Sequence, residues 1–180
     1  MLKPDKKALG IFGGSFDPPH KAHVEISKIS LKKIGLKKVY WIITKKNPFK
    51  NKSYFTIKQR LLKSKKILKK YRNIEALYLD GAVKSSRMIK VINYFVKTKK
   101  QNNLYLILGS DNLINFHKWT SWKKIVKLTK LVVFSRKGYD KKGKESIVVK
   151  YLNKKKIIFV NNKLMNVSSS NIKYKYVKKI

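Results

Sequence analysis

The sequence has 180 residues, enough for one domain with a buried core, and its 43% hydrophobic content is ordinary for a globular protein. It has no cysteine, which excludes disulfide scaffolds and thiolate metal sites, and no apolar run long enough to predict a membrane span or a signal peptide. We therefore expect a single cytoplasmic domain over residues 1–180.

The net charge is unusual, because 46 lysines and arginines face only 8 acidic residues, for a formal charge of +38. Only four of the basic residues are arginine, and the lysines are spread along the whole chain. A basic surface can bind nucleic acid through counterion release, so a nucleic-acid-binding module is one alternative. The even spread favours a lysine-biased composition whose positive field attracts small anionic substrates, and specific nucleic-acid binding is not expected.

The first predicted element is a buried strand over residues 8–12, which Gly13 and Gly14 are expected to end in a tight turn. A helix follows, and this order of elements places a phosphate at the helix N-terminus. His20 and His23 lie three residues apart at the helix start, so we expect an exposed pair that points back towards the turn. Such a pair can bind an anion, and a metal site is less favoured because zinc normally needs a third ligand nearby.

Further apolar runs predict strands over residues 38–44, 74–79, 104–108, 130–135 and 157–160. Thr56 is expected to cap a helix that ends near residue 71, another helix follows residue 87, and residues 140–145 are predicted to form a polar loop. The alternation predicts an α/β fold: a single Rossmann-like three-layer domain with a parallel sheet of about five or six strands and helices on both faces.

Three strings resemble one family. G-G-S-F-D-P-P-H-K-A-H at residues 13–23 resembles the G-G-T-F-D-P-x-H-x-G-H motif of the nucleotidyltransferase superfamily, and the closest likeness is to the bacterial nicotinate-nucleotide adenylyltransferases. G-S-D-N…F-x-x-W at residues 109–119 and V-S-S-S-N-I-K at residues 167–173 resemble two further motifs of that family. Ala22 and Lys173 depart from the family's glycine and arginine. The resemblance implies adenylyl transfer from ATP to nicotinate mononucleotide, giving deamido-NAD and pyrophosphate.

The resemblance also implies the site residues. Those for ATP are Gly13, Gly14, Ser15, Phe16, His20, His23, Ser168, Ser169, Ser170 and Lys173, of which His20, His23 and Lys173 would act in catalysis. Those for the mononucleotide are Ser15, Phe16, Lys50, Ser85, Ser86, Asp111, Trp119 and Arg136. Mg²⁺ would arrive with ATP, without a protein metal site, and a homo-oligomer is left open.

Several alternatives stay open. Pantetheine-phosphate adenylyltransferase shares both phosphate motifs, and its second motif also ends in lysine, but it lacks the G-S-D-N…W string. At single positions the alternatives are structural: helix capping for Ser85, Ser86 and Asp111, and core packing for Trp119.

Overall fold

The computed structural model describes residues 8–45, 53–98, 100–153 and 155–161. Its strands are β1 Leu9–Gly14, β2 Lys38–Ile43, β3 Ile74–Leu77, β4 Leu104–Gly109, β5 Thr129–Phe134 and β6 Ile157–Val160. Its helices are α1 Lys21–Ile34, α2 Ile57–Leu68, α3 Met88–Thr98, α4 Ser110–Ile114, α5 Trp122–Leu128, α6 Asp140–Lys144 and α7 Ile147–Leu152, with a 3₁₀ turn at Phe116–Lys118. None of the helices in this part of the chain combines the length and hydropathy of a membrane span.

The six strands form one parallel sheet in the order β3-β2-β1-β4-β5-β6, with a hydrophobic core on each face. Adjacent residues of a strand point to opposite faces, so Ile11 packs in the core formed with α3 while Phe12 packs in the core formed with α1. The predicted α/β fold, with its parallel sheet and helices on both faces, is confirmed. The single domain over residues 1–180 stays a prediction.

The strand order creates a switch point between β1 and β4. From β1 the chain continues to β2 and β3 on one side, whereas β4 is followed by β5 and β6 on the other. Phe12 pairs with Ile107, so the carboxyl ends of β1 and β4 lie at the same edge of the sheet. In parallel α/β sheets this edge, at the switch point, is where ligands bind.

Two local predictions are wrong. β1 runs through both glycines, because Gly13 pairs with Ile42 and Gly14 with Ile43, and the turn begins only at Ser15. The segment predicted as a polar loop contains α6, which packs closely on α4. A Cβ on Gly143 would lie 3.2 Å from the Ser110 carbonyl oxygen, so the glycine lets α6 approach α4 this closely.

Candidate active site

The turn after β1 leads into α1 through the histidine pair. His20 is the N-cap residue of α1, and its backbone N–H donates to Nδ1 of His23 at 3.2 Å. The N–H of His23 donates in turn to the His20 carbonyl at 3.0 Å, and the two ring centres are 3.8 Å apart. The structure therefore brings both predicted histidines together at the helix start, with their relative geometry fixed by the backbone.

The hydrogen bond to Nδ1 also determines where the proton of His23 lies. A backbone N–H can only donate, so Nδ1 of His23 is an acceptor, and a neutral ring then carries its proton on Nε2. An Nε2–H group is a donor of the kind that binds a phosphate oxygen. The tautomer of His23 is therefore set by a neighbour within the same motif.

The pair is less exposed than the sequence led us to expect. His20 is 9% exposed and His23 is half-buried. The His23 ring lies against Phe16, with ring centres 4.8 Å apart, and against Phe12 and Trp41 at 5.8 and 5.7 Å. The prediction of an exposed pair is wrong because aromatic side chains from β1, the turn and β2 pack beneath it.

Phe16 contributes to this packing rather than to an open pocket. The whole residue is 1% exposed, and its ring stacks on Trp41 with centres 4.7 Å apart and planes 12° from parallel. Its φ of 45° lies in the left-handed region, which is uncommon for a residue with a side chain. Phe16 is therefore a packing residue in this structure, and its contact with ATP stays a prediction.

A second group of predicted residues meets at the ends of β4 and β5. Asp111 lies in the first turn of α4, and Arg136 follows β5. Nη1 of Arg136 donates to Oδ2 of Asp111 at 2.8 Å, and the two side chains are 52% and 25% exposed. Gly109 is the N-cap residue of α4, so capping does not account for Asp111.

Asp140, at the start of α6, supports Arg136 and is a residue that sequence reasoning missed. Its Oδ1 accepts the Arg136 N–H at 2.9 Å, and Ser110 Oγ accepts the same N–H at 3.1 Å. Burial alone would raise the pKa of Asp140, but hydrogen bonds from Ser110, the Arg136 backbone and Ser135, with the charge of Lys144, lower it. The sequence could have pointed to Asp140, because it is one of only 8 acidic residues and lies four positions after Arg136.

The other predicted mononucleotide residues make contacts elsewhere rather than with Asp111, Arg136 or Asp140. Trp119 is half-buried and stacks on Phe116 with ring centres 4.8 Å apart, so core packing accounts for one face of its indole. Its Nε1 has no hydrogen-bond partner within the described part of the chain. Ser85 Oγ accepts the N–H of Arg87 at 3.2 Å, which is a local turn contact, and Ser86 is exposed.

Five predicted site residues cannot be placed. Lys50 lies in one of the segments outside the described residues, and the others lie near the C-terminus, also outside them: Ser168, Ser169, Ser170 and Lys173. Their assignment to phosphate and mononucleotide stays a prediction from sequence.

A buried arginine on α2 was also missed. The apolar spacing of this helix predicts the inward positions Ile57, Leu61, Ser64 and Ile67 or Leu68. The structure confirms Ser64 and Leu68 as buried and packs Leu61 and Ile67 against the core, but it also buries Arg60. The sequence did contain a hint that Arg60 is special, because only four of the 46 basic residues are arginine and the rest are lysine.

Comparison with known proteins identifies relatives over most of the chain. The cytidylyltransferase-like family model matches residues 11–175. A relative from Pelagibacter ubique (strain HTCC1062), named "Probable nicotinate-nucleotide adenylyltransferase", is 45% identical over 179 residues, which are 96% of this chain and 99% of the relative. A relative of the same name from Rhizobium meliloti (strain 1021) is 32% identical over 73% of this chain and 70% of its own length.

Solved structures show the same fold at lower identity. Plasmodium falciparum nicotinic acid mononucleotide adenylyltransferase complexed with NaAD has a TM-score of 0.74 and 18% identity, covering 96% of this chain and 89% of that chain. The same enzyme complexed with APC has a TM-score of 0.72 and 18% identity, covering 93% of this chain and 83% of that chain. The sequence matches show that the chain belongs to the cytidylyltransferase-like family and, within it, to the nicotinate-nucleotide adenylyltransferases.

Proposed function

We propose that this protein transfers the adenylyl group of ATP to nicotinate mononucleotide, giving deamido-NAD and pyrophosphate in NAD biosynthesis. The observation that carries the chemistry is the His20–His23 pair, whose rings lie against each other at the start of α1, beside the β1/β4 switch point. The acceptor is supported by the relatives named for this reaction and by the structural neighbour complexed with NaAD.

In this reaction a phosphate oxygen of the mononucleotide attacks the α-phosphorus of ATP. The bond from the α-phosphorus to the oxygen that bridges it to the β-phosphorus breaks, and pyrophosphate leaves with that oxygen. The attacking phosphate is already ionised near neutral pH, so catalysis needs positioning and charge stabilisation rather than a general base. We assign to His20 and His23 the donation of hydrogen bonds to the α-phosphate oxygens, where negative charge develops.

The other roles are those that the family resemblance implies, supported by position where the structure describes the residue. The backbone of residues 13–16 is proposed to line the phosphates of ATP, and Ser168, Ser169, Ser170 and Lys173 are proposed to hold the leaving pyrophosphate. Asp111 and Arg136 are proposed to bind the mononucleotide, since their ion pair lies partly exposed at the carboxyl ends of β4 and β5. Trp119 is proposed to contribute to the pyridine site.

Mg²⁺ is the proposed cofactor, and the described residues fit an ion carried by the nucleotide. Within the described ranges no three His, Asp or Glu side chains lie together as a metal-binding group, and the Asp111 carboxylate pairs with Arg136. Mg²⁺ commonly keeps several of its waters and binds substrate phosphates, so the phosphates of ATP would hold it. When bound, it neutralises phosphate charge as pyrophosphate leaves.

The cytoplasm, which supplies ATP, is the proposed location of the enzyme. A homo-oligomer also stays a prediction.

The direct test is pyrophosphate release by the full chain with ATP, Mg²⁺ and one acceptor at a time. Nicotinate mononucleotide should be the best acceptor, nicotinamide mononucleotide should be poorer on the order of 10²-fold in kcat/KM, and phosphopantetheine should be inactive. The positive field of the chain, including Lys118, Lys123 and Lys124, which are close to Trp119 in sequence, favours the carboxylate over the neutral amide. Preference for phosphopantetheine, or equal use of acid and amide, would contradict the proposed acceptor.

A further inference from the structure

The buried side chain of Arg60 lies under the turn of the first motif, which is G-G-S-F-D-P-P-H-K-A-H at residues 13–23. Arg60, on α2, is 1% exposed. Its Nη1 donates to the carbonyls of Ser15 at 2.8 Å and Thr44 at 2.9 Å, and its Nη2 donates to the carbonyl of Lys45 at 3.4 Å. Removing a guanidinium from water is costly unless its donors are paired, so these three carbonyls hold its Nη groups in place, while its buried Nε has no partner among the described residues.

Carboxylates near Arg60 compensate its charge. Burial lowers the pKa of the guanidinium, and the carboxylates of Asp17 and Asp80 oppose that change, so the side chain stays charged. Asp17 belongs to the first motif and accepts the backbone N–H groups of Tyr54 and Phe55 at 2.8 and 2.9 Å. The motif is thus connected to the start of α2 both through Asp17 and through Arg60.

The bond to Ser15 determines the direction of one peptide group. In a trans peptide the carbonyl and the following N–H point in opposite directions, so the Phe16 N–H points away from Arg60 when the Ser15 carbonyl points towards it. Thr44 completes the arrangement, because its N–H and its Oγ1 both donate to the Gly14 carbonyl at 3.0 and 3.3 Å. The Gly14 and Ser15 carbonyls are therefore held by donors from Thr44, directly after β2, and from Arg60 on α2.

We propose that Arg60 is a positioning residue for adenylyl transfer, which acts by orienting the 14–16 turn so that its backbone can bind the phosphates of ATP. The proposal rests on the proposed function, because it names the residue that shapes the ATP side of that site. A side chain needed only for stability could be replaced by another that fills the same space. A positioning role requires in addition that the folded variants bind and use ATP less well.

The test compares Arg60→Lys and Arg60→Gln in the full chain with Leu68→Ala as the matched control. Leu68 is buried in the core on the same helix, so its truncation lowers stability without removing a donor to the turn. Below the unfolding temperature of each variant, Arg60→Gln should lose on the order of 10²-fold in kcat/KM for ATP. Arg60→Lys, which keeps the charge, should recover part of that loss, and Leu68→Ala should lower Tm while keeping a kcat/KM close to wild type.

Binding of a non-hydrolysable ATP analogue, measured by calorimetry, separates this proposal from the proposed function. If wild type binds the analogue but releases no pyrophosphate with nicotinate mononucleotide, the proposed function fails and analogue binding by the variants still tests Arg60. A folded Arg60→Gln variant with wild-type kcat/KM and wild-type analogue affinity would overturn the positioning role.

A measurement on wild type covers the case in which neither Arg60 variant folds. The chain has only four arginines, so selective ¹⁵N labelling gives few guanidinium signals. The buried, hydrogen-bonded Nη protons of Arg60 should exchange slowly with water and shift when the ATP analogue is added. Slowly exchanging Nη signals that do not respond to the analogue would contradict the proposal.

Discussion

His23 is held by three different kinds of contact at the scale of a single residue. Its Nδ1 accepts the His20 N–H, its ring lies against Phe16 and Trp41, and its carbonyl accepts Ser27 Oγ–H at 2.9 Å. Ser27 Oγ in turn accepts the Trp41 Nε1–H at 2.7 Å. These contacts leave little rotational freedom to the imidazole, which is what a donor that must meet a developing charge requires.

Replacing the histidines should separate catalysis from stability. His20→Ala and His23→Ala should each lower kcat on the order of 10²–10³-fold, because each removes a proposed donor to the α-phosphate. His23→Ala should also lower Tm, since it removes the acceptor of the His20 N–H and the aromatic contacts. His23→Asn is the control: its side-chain oxygen can accept that N–H, so it should be more stable than His23→Ala and equally slow. Wild-type turnover in His23→Asn would contradict the assigned role.

The carboxylate of Asp140 should make stability depend on pH. Its pKa is lowered from the ordinary value of 3.8, so the folded state favours the ionised form. A depressed carboxyl pKa contributes stability above the unfolded-state pKa, about 4, and this contribution is lost as the pH falls through the folded-state pKa. Asp140→Asn should therefore lower Tm near neutral pH, with a difference from wild type that shrinks in acid.

Thermal unfolding of wild type and Asp140→Asn over a series of pH values measures this difference. Asp111→Asn is a comparison at a partly exposed ion pair, for which the difference in Tm should be small because surface pairs contribute little. A Tm difference for Asp140→Asn that is constant from neutral pH into acid would show that the charge of Asp140 is not its source.

At the scale of elements, β1 is the central strand on which both cores depend. Gly10 lies within it, and a Cβ there would come within 2.8 Å of Leu36 Cδ1, 2.9 Å of Ile107 Cδ1 and 3.1 Å of Val39 Cγ2. These atoms belong to a close-packed core that has little space to yield. Gly10→Ala should therefore lower the free energy of unfolding by about 1–3 kcal/mol, as extra methyl groups in packed cores do.

Gly13→Ala is the matched control on the same strand. There the added Cβ would meet only Met88 Cε, the end of a flexible side chain that can rotate away. Urea unfolding should show a smaller loss for Gly13→Ala than for Gly10→Ala. Equal losses would mean that strand geometry, rather than side-chain packing around Gly10, decides the cost.

The elements also show how far sequence alone can predict this fold and site. The strands were predictable because each is a run of buried apolar residues. His20 and His23 were predictable as a pair at a helix start, and Asp111 and Arg136 were predictable from the family resemblance. The short helix α6 was not, because it depends on the contact between Gly143 and Ser110. Arg60 was not, because its acceptors are backbone carbonyls of residues distant in sequence, which carry no residue-specific pattern.

The charge is the dominant property at the scale of the whole molecule. Between described residues the structure contains three ion pairs, Lys28–Glu25, Lys38–Glu75 and Arg136–Asp111, and all three include at least one partly exposed side chain. The formal charge of the sequence is +38, so most of its positive charges have no acidic residue to compensate them. The same field attracts ATP and a mononucleotide, and it also makes the folded chain repel itself. The expectation that nucleic-acid binding is not sequence-specific stays a prediction.

Self-repulsion predicts that salt stabilises this protein. Folding brings the lysines closer together, and at an ionic strength of about 0.1 M the screening length is about 10 Å, short enough to weaken repulsion across the surface. Tm should therefore rise as sodium chloride increases from a few millimolar to physiological ionic strength, and potassium chloride at equal ionic strength should raise it equally.

Inorganic polyphosphate should raise Tm at far lower concentration, because a multivalent anion binds several lysines at once. Since three surface ion pairs contribute little, their weakening by salt cannot offset the gain. A Tm that stays constant or falls as sodium chloride increases would contradict this prediction. It would show that charge repulsion is as strong in the unfolded chain as in the folded one, so that the positive charge does not lower the stability of the fold.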